Sequence, residues 1–243
     1  MPRPLIDLLW RDHPGAPARG SRGPRARVST GTVVDAALGL ADADGLGAVT
    51  IRRLAGELDV STMSVYTHVN SRDDLLVLMV DAAHAQMDRP SFGRLGWRAR
   101  VRRVAESNLA LLGAHPWLLD ITDDRAALGP GTIAKYDHEL GALAPLRLDP
   151  VTWDAALTFV LDFVRSSARN LRPQPRAGEL AEHWPEWGAR LASYVGDDHP
   201  VARSVGAAAG EALDGVSSPA VAWEFGLARV IDGLAALAPR RSR

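Results

Sequence analysis

The side chains best suited to specific chemistry gather in residues 50–75, TIRRLAGELDVSTMSVYTHVNSRDDL. The hydroxyls of Thr62 and Ser64 suit base edges, and Met63 offers an apolar tip for a thymine methyl. The Tyr66 phenol and the His68 imidazole suit phosphate oxygens, and Thr50, Arg52 and Arg72 could clamp a sugar-phosphate backbone on either side. Nothing in this stretch is spaced for nucleophilic catalysis, and the chain has no cysteine, which excludes disulfides, thiolate metal sites and cysteine nucleophiles.

The elements that would position these groups are short helices. Thr50 can cap a helix with Ile51, Leu54, Ala55 and Leu58 at helical spacing, and Asp59-Val60-Ser61 interrupts it. Ser61 or Thr62 can cap a second helix, whose buried edge is Val65 and Val69. A third opens at Arg72-Asp73-Asp74. At about 100° per residue, placing both valines inward turns Met63, Ser64, Thr67 and His68 away from the core, with Tyr66 on the flank. Two helices around a tight turn make a helix-turn-helix, whose second helix is built to enter a DNA major groove. Before Asn70 that helix offers no Arg, Lys, Asn or Gln, so the expected readout leans on hydroxyl and methyl contacts, water and DNA shape.

This segment resembles the DNA-binding head of the tetracycline-repressor (TetR) family, over roughly residues 28–87, with a first helix at 30–43 and Gly45 and Gly47 before Thr50. The resemblance implies phosphate contacts for Thr50, Tyr66, His68 and Arg72, and base contacts for Thr62, Met63, Ser64 and Thr67. Two positions depart from the family pattern: Asp59 stands where glycine is usual in the turn, and Arg72 where lysine is commoner. Aspartate tolerates a left-handed backbone, at more cost than glycine.

The chain of 243 residues is 47% apolar, enough for one large domain or two modest ones, and its net charge of −1 shows no global basic field. A basic head on an acidic body would give the same sum. No apolar run approaches a membrane span and no signal-peptide core is evident, so a soluble cytoplasmic protein without membrane contact is expected. Residues 1–27 carry Arg3, Arg11, Arg19, Arg22, Arg25 and Arg27 against Asp7 and Asp12 and read as a disordered basic tail. Such a tail could wrap the duplex or simply add nonspecific affinity.

The expected architecture is all-α, with a helix-turn-helix domain over 28–90 and a larger helical ligand-binding and dimerisation domain over 91–243. A helix over 72–87 belongs to both. In the body, Trp97, Val101, Val104, Asn108 and Leu111 form one stripe, and residues 129–143 form a helix with Ile133, Tyr136, Leu140 and Leu143 inward. Asp149-Pro150 opens a long helix to Leu171 with two apolar stripes, one through Trp153, Leu157, Val160 and Val164, the other through Phe159 and Phe163. After Pro173 and Pro175, shorter pieces follow at 186–195 and 202–213. The last helix runs from Pro219 to Leu237, with Trp223, Leu227, Val230 and Leu234 on one face and Ala222, Gly226, Gly233 and Ala236 on the next. The 149–171 and 219–237 helices are expected to pair with their copies in a homodimeric four-helix bundle, or else to line the monomer core. The body also resembles the C-terminal domain of tetracycline-repressor-type regulators through HPWLLDI at 115–121 and GPGTIAKYDHELGAL at 129–143. That likeness implies a small-molecule effector but fixes no contact residue.

Aromatic and polar residues sharing apolar stripes, Gln86, Asn108, Trp117, Tyr136 and Trp153, are the candidate ligand contacts, each with a plain core role as the alternative. His138-Glu139 lacks the second histidine of a metalloprotease helix, so no metal or other cofactor is expected. No phosphate loop, nucleophile elbow or dinucleotide fingerprint appears, so no enzyme is expected. Two functions remain: a homodimeric repressor released from a palindromic operator by a largely apolar ligand, or a DNA-binding regulator whose body is a protein-interaction module.

Overall fold

Serine and threonine caps set the helix starts of the N-terminal half. The computed structural model describes residues 3–16, 28–172, 177–213 and 218–238, which form eleven α-helices and no strand. After α1 (Leu5–Leu9), Ser29 caps α2 (Thr30–Asp44), Thr50 caps α3 (Ile51–Glu57), Ser61 caps α4 (Thr62–Tyr66) and Ser71 caps α5 (Arg72–Gln86). Each side-chain oxygen accepts from a backbone N–H three residues on, at 3.0–3.2 Å. The turn between α3 and α4 is closed by Asp59 at φ 50°, the left-handed conformation that aspartate tolerates at more cost than glycine.

The head core is built from Val33, Val34 and Ala37 of α2, Val49, Leu54 of α3, Val65 and Val69, and Leu75 and Met79 of α5. Val65 and Val69 are both buried as their spacing predicts, although α4 ends at Tyr66 and Val69 reaches the core from the segment after it. Helix α5 continues past the head and packs along α7 (Pro130–Leu143), while α6 (Trp97–Ala114), α8 (Pro150–Leu171) and α11 (Pro219–Ala235) complete the body. Asp149 and Ser218 cap the last two, each followed by proline at the first helical position. Gly226 lies under the Phe163 ring, where a Cβ would collide, so this glycine permits the close α8–α11 approach. Gly233 faces open space. Helices α9 (Ala177–Val195) and α10 (Pro200–Leu213) pack chiefly on each other.

Three expectations need correction. The N-terminal segment is not tail throughout: α1 buries Leu8 and Leu9 against α5, Trp10 Nε1 donates to the Leu128 carbonyl at 2.8 Å, and Asn70 Nδ2 donates to the Arg3 carbonyl at 2.8 Å. The short Leu5–Trp10 run is therefore a strap across head and body; residues 17–27 lie outside the described part. Helix α7 is rolled relative to its apolar stripe. Ile133 and Tyr136 are exposed and Leu140 is half-buried; Leu143 is buried as expected, but together with Gly131, Lys135, Glu139 and Ala142. The cause is the Gly129-Pro130-Gly131 start, which lets the chain press on Asp81 and Ala85 of α5 where any Cβ would collide, with Asp81 Oδ1 accepting from Thr132 N at 2.8 Å. Third, α9 starts near Ala177 and runs through Pro185 rather than beginning after it.

The strap makes a testable difference. Leu8→Ala should lower unfolding free energy by about 2–5 kcal/mol, the cost of emptying a core leucine site. A disordered tail would give no change in the urea midpoint.

Candidate nucleic-acid interface and body cavity

Capping and turn geometry together present α4 with one face free. Thr62, Met63, Tyr66 and Thr67 are exposed, Met63 at 71% and Tyr66 at 47%, and Ser64 and His68 are half-buried at the margin. Thr67 Oγ1 donates to the Ser64 carbonyl at 2.6 Å, which leaves its lone pairs outward. His68 is anchored toward α2, with Thr30 Oγ1 3.5 Å from Nδ1 and 3.4 Å from the His68 carbonyl. Arg52 and Thr50 are exposed at the start of α3, and the Thr50 hydroxyl accepts from Arg53 N. Arg72 differs from a simple phosphate clamp. Its Nε donates to the Val49 carbonyl and its Nη2 to the Leu46 carbonyl, each at 2.9 Å, so it ties the turn before Thr50 to the start of α5.

The body holds a cavity of about 210 Å³ between α5, α6, α7 and α8. Of the five candidate ligand contacts, the fold brings only Asn108 and Tyr136 to it. Gln86 lines a different depression, of about 570 Å³, beneath the N-terminal strap. Trp117 is buried with its indole N–H on Asp42 at 2.7 Å, and Trp153 donates to the Leu140 carbonyl at 2.9 Å. The residues that periodicity overlooked are charged. Glu139 accepts from Lys135 Nζ at 2.8 Å and from Asn108 Nδ2 at 2.5 Å, and both members of the ion pair are buried. The available signal was that Lys135, the chain's single lysine, stands four residues before Glu139.

His84 of α5 also lines the cavity, with Nδ1 2.9 Å from Thr132 Oγ1. Burial first, then the charges of Lys135 and Arg165, push its pKa down to about 3. The unfolded chain binds this proton below about pH 6.5 and the folded chain does not, so stability falls with falling pH by about 1.4 kcal/mol per unit in that window. Equilibrium unfolding of the wild type should lose about 2 kcal/mol more than His84→Gln between pH 7.5 and pH 5. Parallel profiles would refute the assignment.

Cavity and head are joined by two routes. One is α5 itself, from Arg72 to His84, braced by Arg125 of the 124–128 turn on Asp74 at 2.9 Å. The other is the 116–120 turn. Arg165 and Arg169 of α8 and Arg172 just past its end donate to the carbonyls of Leu118, Leu119 and Pro116, and Trp117 of this turn and His115 before it both bond Asp42 of α2. Among the described residues, no helix is long and apolar enough to cross a membrane, and no group of three or more His, Cys, Asp or Glu is placed to hold a metal.

Residues 89–238 match the model of the tetracyclin repressor-like C-terminal domain. The HTH-type transcriptional repressor DrrR1 of Streptomyces coeruleorubidus is 32% identical, the match covering 97% of this chain and 86% of that protein. An HTH-type transcriptional regulator of Saccharopolyspora erythraea is 32% identical over 158 residues, 62% of this chain and 66% of its own. Among solved structures, Streptomyces coelicolor ActR in complex with actinorhodin superposes with a TM-score of 0.73 at 27% identity, covering 88% of this chain and 99% of that one. ActR in complex with (S)-DNPA gives 0.71 at 26% identity, covering 88% and 100%. With the family model spanning most of the chain and a repressor relative matching nearly all of it, the chain belongs to the tetracycline-repressor (TetR) family of helix-turn-helix transcriptional regulators.

Proposed function

We propose that the protein is a homodimeric repressor that leaves a near-palindromic operator when a small organic ligand enters the body cavity. The carrying observation is that α5 is one continuous helix, with α2 of the head packed against it and the cavity-lining His84 in its last turn. A ligand that displaces His84 acts on the element that orients the head. In this reading Thr62, Met63, Ser64 and Thr67 face base edges, while Thr50, Arg52, Tyr66 and His68 hold phosphates. Arg72 mainly positions Thr50. The repressor relative and the two ligand-bound ActR structures support the sign of regulation and the use of the body as a ligand domain. Two heads reading successive major grooves would sit about 34–36 Å apart. A coupling of about 1–3 kcal/mol between ligand and operator is enough to shift affinity 5- to 150-fold.

The rival reading, a protein-interaction body, draws on the α9–α10 hairpin, where Trp187, Leu191, Tyr194, Val201 and Val205 are exposed. The cavity and the continuous α5 favour the ligand reading. Sequence selection from random duplexes separates specific from nonspecific binding. The wild type should select a palindrome, and Tyr66→Ala should weaken its binding about 10²- to 10⁴-fold, the loss of one charge-assisted hydrogen bond in each of two heads. Equal, salt-sensitive binding by both proteins without sequence preference would sink the head assignment.

A further inference from the structure

Arg165 has no counter-ion within 4.0 Å among the described residues. It is half-buried on the cavity wall, and its Nη2 donates to the Leu118 carbonyl at 3.1 Å. Nε and Nη1 make no hydrogen bond to the described residues, and no carboxylate among them lies within 4.0 Å. Asp162, three residues earlier, is exposed and acts on it only at longer range, while Arg169 repels it. The carboxylate that the cavity does contain is already matched, because Glu139 uses one oxygen on Lys135 and the other on Asn108. The cavity therefore carries one surplus positive charge among the apolar walls of Leu111, Leu112, Leu161 and Val164.

We propose that the cavity takes an organic anion, an apolar frame of about two rings carrying a carboxylate or phenolate that Arg165 receives. This rests on the ligand-cavity reading above and adds the chemical class. A guanidinium withdrawn from water without a partner is costly, and an anion meeting its free edge removes that cost and forms two charge-assisted hydrogen bonds. The His84 ring is held neutral by burial first and then by the Lys135 and Arg165 charges, so it brings no counter-charge of its own to the cavity. The guanidinium that meets the anion is also the one that holds the Leu118 carbonyl, in the turn fastened to Asp42 of α2. Anion binding thereby loads a side chain that already holds a contact on the route to the head.

The test uses the full chain with 2-naphthoate and its neutral isostere 2-naphthamide, by calorimetric titration. The wild type should bind the acid at least about tenfold more tightly. Arg165→Gln should bring the two within about twofold, Arg165→Lys should keep part of the preference, and Leu161→Trp, which fills the cavity, should abolish binding of both. Equal affinities for acid and amide, both lost in Leu161→Trp, would overturn the anion class and leave the ligand cavity standing. Binding of both that Leu161→Trp does not change, or no binding of either at millimolar concentration, would overturn the cavity reading and this inference with it.

Discussion

Glutamate at both Phe159 and Phe225 should leave the protein folded and monomeric, with operator affinity lowered about 10²- to 10⁴-fold through loss of the paired heads. Phe159 stands one turn before Phe163 on α8, and Phe225 is next to Gly226 on α11, where the Phe163 ring packs. The two exposed phenylalanines, at 54% and 64%, flank the contact that holds the helices together, with Val221 exposed at 53% nearby. The inner stripes of the same helices, Leu157, Val160, Val164, Trp223, Leu227 and Val230, are already buried within one chain. In the proposed homodimer a second copy would cover this outer face, and each substitution would count twice. Burying a phenylalanine is worth about 1.5–3 kcal/mol, and an unpaired carboxylate in its place adds a desolvation penalty. Sedimentation velocity at micromolar concentration, with thermal unfolding as the control for folding, decides the matter. A variant that stays dimeric would move the interface elsewhere.

Lys135→Met should be the most destabilising single change in the body, by about 3–5 kcal/mol. It leaves the Glu139 carboxylate, 1% exposed, with Asn108 as its remaining partner. That loss is a large share of the roughly 5–15 kcal/mol that holds a domain folded. Lys135→Met combined with Glu139→Met should recover most of it, because removing both charges removes the desolvation cost along with the attraction. Urea unfolding of the two variants gives the comparison directly. If the single variant unfolds within about 1 kcal/mol of the wild type, the pair is solvated and the cavity wall is not built on it.

How much was legible depended on the range of the interaction. The caps at Thr50, Ser61 and Asp149 act within three residues, and they form where the sequence placed them. The inward pair Val65 and Val69, the left-handed Asp59 turn, and the inner stripes of α8 and α11 are likewise local or single-helix patterns. The roll of α7 was not legible. Its apolar stripe through Ile133 and Tyr136 argued for one face, but Gly129 and Gly131 let α5 approach so closely that the helix rolls onto the neighbouring one, keeping only Leu143 of that stripe buried. The charged pair on that face is tolerable only because Asn108, thirty-one positions away on α6, completes it. Leu8 and Leu9 were read as tail for a related reason. Five helical residues are too few to signal stability alone and gain it only from the surface of α5.

By itself the sequence determined the helical class, the helix-turn-helix and the residues on its outer face, since all of these follow from propensity, capping and a period of 3.6 residues. Tertiary structure alone decided which polar groups share the cavity, that Gln86, Trp117 and Trp153 stand outside it, and that Arg165 meets it without a counter-ion within 4.0 Å among the described residues. The physical reason is that the cost of burying a charge depends on which groups on other helices surround it, and the periodicity of one helix carries no record of its neighbours.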